Sequence, residues 1–135
     1  MHGRRIAVPL LLVTFLAAAA VVPQQDAPAP HSYAYDLTRQ QTLTGIVTET
    51  RDYKCPVSGT VGSHITVKTD VAVMEVHLGP ASFMKQYEIT IRNGDHVSIV
   101  GSRITFAGKP ALIARSVTVE RETFNFRDAK GTPLW

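Results

Sequence analysis

From Thr42 to Val119 the chain repeats one pattern, short runs in which every second side chain is apolar, broken by glycine, proline or an Asn-Gly turn. A period of two is the mark of strands with one buried face, and it argues against a helical bundle. Thr42 to Arg51 reads as the first strand, with Leu43, Gly45 and Val47 on one face and a bulge or bend expected at Gly45. His64 to Thr69 points Ile65 and Val67 inward and His64, Thr66 and Lys68 outward. Val71 to Leu78 follows with Ala72, Met74, Val76 and Leu78 in phase, so these two runs form a hairpin around Thr69 and Asp70. Pro80 to Tyr87 reads as a short helix, since proline suits an early helical position and Phe83, Met84 and Tyr87 share a face. Asn93-Gly94-Asp95 turns the chain into a fourth strand, His96 to Phe106, and Gly108-Lys109-Pro110 into a fifth, Ala111 to Val119, with Thr123 to Arg127 as a sixth. The expected interior is Leu43, Val47, Ile65, Val67, Met74, Val76, Leu78, Val97, Ile99 and Val117.

The first thirty-six residues do not share this pattern. Arg4 and Arg5 precede an uncharged apolar run from Ile6 to Val22 that contains Ala17 to Ala20, the plan of a secretory signal peptide over residues 1–20. The mature chain is then expected to begin between about Ala19 and Ala27. The rival is an uncleaved anchor, in which case membrane contact is through this leader alone. Residues 21–36, with Pro23, Pro28 and Pro30 among Gln, Ala and Asp, read as a flexible tether. The folded domain is expected over 37–135, and the protein as exported, periplasmic or secreted. Loss of the leader removes two of the 14 basic residues and none of the 11 acidic ones, leaving a net charge of +1. With no basic stripe in a near-neutral exported chain, no nucleic-acid partner is expected.

Three strands, a short helix and two further strands is the order of the OB-fold, a small Greek-key barrel, here with five to six strands. The passage Asn93-Gly94-Asp95-His96-Val97-Ser98-Ile99-Val100-Gly101 resembles the strand-four entry of exported OB-fold proteins. Val76-His77-Leu78-Gly79-Pro80, Gly101-Ser102-Arg103, Ala114-Arg115-Ser116-Val117 and the segment from Phe126 to Trp135 add to it. Together they resemble MamS-type magnetosome proteins and related exported bacterial proteins. The resemblance implies the fold and an envelope location; it implies neither magnetosomes nor catalytic residues.

Known catalytic patterns are missing from the sequence: there is no G-x-S-x-G, no phosphate loop, no H-E-x-x-H and no C-x-x-C. We therefore expect no enzyme and no organic cofactor. The one group with chemical content is Cys55, His64 and His77. If Lys68 pairs with Val71, His64 faces Glu75 and lies diagonal to His77 on the outward face, with Cys55 in the loop beside them. A thiolate and two imidazoles suit Zn or Cu, although C-x8-H-x12-H is no standard zinc spacing. Periplasmic copper and silver chaperones are also small OB-barrels. Their site does not carry over, because Met74 is expected inward, Met84 on the helix, and Trp135 ends the chain. Plainer readings stand beside the metal: a buried inert Cys55, surface histidines, Met74 and Met84 as core fillers, and terminal aromatics packing the two ends of the domain together. Two functions follow. The first is an exported, non-enzymatic module binding an envelope protein or small ligand; the alternative is a Cu- or Zn-binding protein using Cys55, His64 and His77.

Overall fold

The computed structural model describes residues 33–135. The expected leader and nearly all of the tether lie outside them. No helix among the described residues is long and apolar enough to cross a membrane. A single 3-10 turn at Leu37–Arg39 leads into β1 (Gln40–Cys55), followed by β2 (Thr60–Lys68), β3 (Val73–Pro80), α1 (Ala81–Gln86), β4 (His96–Phe106), β5 (Lys109–Val119) and β6 (Glu122–Asn125). Neighbouring strands run β3-β2-β1-β4-β5-β6, and a parallel pairing of β3 with β5 closes the first five into a barrel. This is the OB-fold barrel, with β6 as an appendage on β5.

The barrel interior holds the residues that the alternation pointed inward: Val47, Ile65, Val67, Val76, Leu78, Val97, Ile99 and Val117 are buried, with Leu43 and Met74 packed at its margin. Phe83 of α1 enters the same cluster, and Met84 packs against it, so the helix plugs one end of the barrel. At the other end of the sequence, Phe126 is fully buried, Trp135 stacks edge-on against Phe83, and Tyr35 lies beside Arg127 and Gly131. The two ends of the described domain do pack together, but Trp135 keeps 42% of its surface exposed, because it lies flat across Gly79 at the rim.

Three expectations need correction. β1 does not stop at Arg51; it runs to Cys55 and pairs Asp52 through Cys55 with Ser63 through Thr60. Cys55 is therefore a strand residue, and β2 begins at Thr60 and not at His64. The polar stretch after Thr48 concealed this, since a strand arm paired along one edge needs no apolar alternation. The bulge lies between Val47 and Glu49 rather than at Gly45. Gly45 serves a different need: a Cβ there would stand 2.4 Å from the Lys68 carbonyl oxygen, so the two strands touch backbone to backbone. Finally, the β2–β3 turn is longer than expected. Thr69 donates its amide to the Ala72 carbonyl at 2.8 Å, and its hydroxyl accepts from the Ala72 and Val71 amides. Four residues, Thr69 to Ala72, thus form the connection, and Lys68 pairs with Val73 instead of Val71. The register moves by two, which keeps every side chain on its expected face.

Candidate metal centre

That two-residue shift decides the geometry of the site. His64 sits directly opposite His77, not diagonal to it, and Glu75 falls opposite Thr66. Both histidines point away from the barrel interior, as alternation requires, yet each is only 3% exposed. The outward face of β2, β3 and β5 is itself covered. His77 pairs with Ile113, which joins Ile104 and Ala111 in a second apolar cluster backed by Val57, Phe106, Tyr33 and Tyr35. The long arm of β1 lies beside β2 in the sheet, so Tyr53 stacks on His64 at 3.7 Å between ring centroids, and Cys55, two residues on, reaches His77.

Cys55, His64 and His77 offer one ligand atom each, and these atoms all lie within 4.8 Å of one another. Cys55 Sγ is 3.5 Å from His77 Nδ1, and the two imidazoles meet edge to face at 4.7 Å. The edge of the Phe106 ring closes on His77 at 4.6 Å. His64 Nδ1 and His77 Nε2 are buried without a hydrogen-bond partner, although a buried imidazole nitrogen is rarely left so. The group expected from sequence does come together. Met74 and Met84 belong to the main core and take no part.

Burial sets the electrostatics. It lowers the pKa of His77 to about 4, with the neighbouring His64 adding to the fall and Glu75 opposing it. Burial also lowers the pKa of His64, with Glu75 and the Arg51 backbone opposing the fall. His64 Nδ1 itself is buried without a partner, which leaves it open to an ion. Burial raises the Cys55 thiol, partly offset by the Val57 and Ser58 amides. At neutral pH the set is thus two neutral imidazoles and a protonated thiol, and an entering cation has one proton to displace.

Two further residues complete the surroundings. Tyr53 donates its hydroxyl to the Glu75 carboxylate, and burial together with that carboxylate raises the phenol pKa. Tyr53 escaped sequence reasoning because β1 was ended at Arg51; extended to Cys55, period two places Tyr53 and Cys55 on one face. Arg127, 9% exposed, borders the site from the C-terminal segment, and no local sequence signal marks it.

Fold and site together define an OB-barrel carrying a buried Cys-His-His cluster on the outside of its β2–β3 wall. The chain belongs to the MamS/MamX magnetosome protein family, which matches residues 39–124. No curated protein matches it. Among solved structures it is similar to a chain of the S. pombe Stn1–Ten1 complex, at 20% identity and TM-score 0.49, over 62% of this chain and 60% of that one. It is also similar to the mitochondrial single-stranded DNA binding protein Rim1 of S. cerevisiae, at 9% identity and TM-score 0.45, over 62% and 94%. The second OB-fold domain of replication protein A from Methanococcus maripaludis gives 12% identity and TM-score 0.44, over 62% and 86%. None of these likenesses bears on ligands.

Proposed function

We propose that this domain binds a single soft or borderline transition-metal ion, Cu(I) or Zn(II), through Cys55, His64 and His77, as an exported, non-catalytic binding module. The observation that carries the reading is the convergence of three buried ligand atoms within 4.8 Å. Ligands around one ion at 2.0 to 2.3 Å stand about 3.4 to 4 Å apart, so the set needs a contraction of roughly 1 Å, within reach of side-chain rotation. Sulfur and imidazole select these metals over Mg or Ca, which take oxygen. Cu(I) is satisfied by three such ligands, whereas Zn(II) takes a fourth from solvent or a small anion. The family resemblance and the Arg4-Arg5 leader plan support an envelope setting, where no reducing cytosol competes for the thiol.

Equilibrium dialysis of the wild type against Cu(I) and Zn(II), with metal counted per chain, tests this. One equivalent is expected for at least one of the two, with a marked loss in Cys55→Ser. Equal sub-stoichiometric uptake by both proteins overturns the reading and returns the domain to a binder of an envelope protein or small organic ligand.

A further inference from the structure

Tyr53 crosses the middle strand of the cluster. It stands opposite Gly62 on β2, its ring lies within 11° of parallel to that of His64, and its hydroxyl meets the Glu75 carboxylate on β3. Neighbouring strands are about 4.8 Å apart, so the side chain and its hydrogen bond span two strand spacings and tie β1 to β3 past His64. Period two puts Cys55 next to Tyr53, and His77 next to Glu75, on one face of their strands. The tie therefore joins the two strands that carry Cys55 and His77 and rests on the third residue of the cluster.

Among the described residues, two carboxylates bear on the cluster: Glu75 acts on Cys55, His64 and His77, and Asp52 on His64. Each accepts from a neighbouring hydroxyl. Ser63 Oγ donates to Asp52 at 2.7 Å, and Tyr53 to Glu75. Glu75 precedes His77 by two residues, about 7 Å along the strand, which puts an ion bound to His77 within reach of a glutamate side chain. Released, its carboxylate would bring Cys-His-His to four ligands, the tetrahedral set that suits Zn(II). Held by Tyr53, it leaves a sulfur and two nitrogens, which satisfy Cu(I) and are one ligand short for Zn(II).

We propose that Tyr53 sets the metal preference of the site: by engaging the Glu75 carboxylate it keeps an oxygen ligand away from the ion and shifts selectivity from Zn(II) toward Cu(I). The proposal rests on the metal reading of Cys55, His64 and His77, and it adds the choice of ion. Tyr53 touches no metal; it is a positioning residue that acts through Glu75. A hydrogen bond to an ionised acceptor is among the stronger kinds, and partial burial shields this one from water.

The test titrates full-length wild type, Tyr53→Phe and the double variant Tyr53→Phe/Glu75→Gln with Cu(I) and with Zn(II), each against a competing chelator of known affinity. Phenylalanine keeps a ring on His64 and removes only the hydroxyl. Zn(II) affinity relative to Cu(I) affinity should rise about tenfold or more in Tyr53→Phe, and the double variant, which lacks the carboxylate, should return to the wild-type ratio. An unchanged ratio in Tyr53→Phe, or a changed one that persists in the double variant, overturns the role of Tyr53 and leaves the metal reading standing. Should the variants fail to fold, diffraction from zinc-loaded wild-type crystals decides. Glu75 is expected to stay on Tyr53, with the fourth zinc ligand taken from solvent or a small anion, and a Glu75 oxygen on the zinc overturns the proposal. A wild type that takes up neither metal overturns the metal reading itself.

Discussion

A histidine held neutral by burial makes stability depend on acid. In the folded protein His77 titrates near 4, and in the unfolded chain near the ordinary 6.5. Between those values the unfolded chain takes up a proton that native His77 refuses, so the folded state of the metal-free protein loses ground as pH falls from about 6.5 through 4 and is unaffected above that window. The full effect is about 3 kcal/mol. Denaturant midpoints at pH 7.5, 5.5 and 4 should show this slope in wild type and a shallower one in His77→Gln; parallel slopes would contradict it. The three residues of the cluster were legible because thiol and imidazole are scarce in this chain and fall at compatible phases. A buried Cys55 was among the readings, but the burial of the two histidines was not legible. Alternation separates two faces of a strand, and here the outward face is covered by residues remote in sequence, Phe106, Ile113 and Tyr53.

At the level of strands, period two identified the inward residues well, since a face that must exclude water leaves little freedom in the sequence. Val76 and Val97 are 0% and 4% exposed. Truncating either to Ala should lower stability by about 1 to 3 kcal/mol, read from urea midpoints at constant slope. Unchanged midpoints in both would mean the inward faces are misassigned. Strand ends and register were harder to read. The register depended on how many residues the Thr69–Ala72 turn uses, which is set by hydrogen bonds of the Thr69 hydroxyl that leave no trace in hydrophobicity. The arm of β1 beyond Arg51 was missed for a similar reason: its pairing with β2 rests on backbone bonds and on contacts such as Ser63 with Asp52, not on an apolar stripe.

Across the whole molecule, the closed barrel and the outer site divide the labour. Parallel pairing of β3 with β5 removes the free strand edges that an open sheet would expose, and it also fixes His77 beside Ile113. The site therefore stands where β2 and β3 meet the closing strand β5, bordered by residues from the β4–β5 hairpin and from the two ends of the described segment. On the proposed reading, an ion here is held by side chains of β1, β2 and β3. X-ray absorption of the metal-loaded protein tests this directly, because it counts the neighbours of the ion without reference to the fold. The account predicts one sulfur at about 2.3 Å and two imidazole nitrogens at about 2.0 Å, with the sulfur shell gone in Cys55→Ser. A first shell of oxygen and nitrogen alone in the wild type, or a spectrum identical in Cys55→Ser, would contradict it.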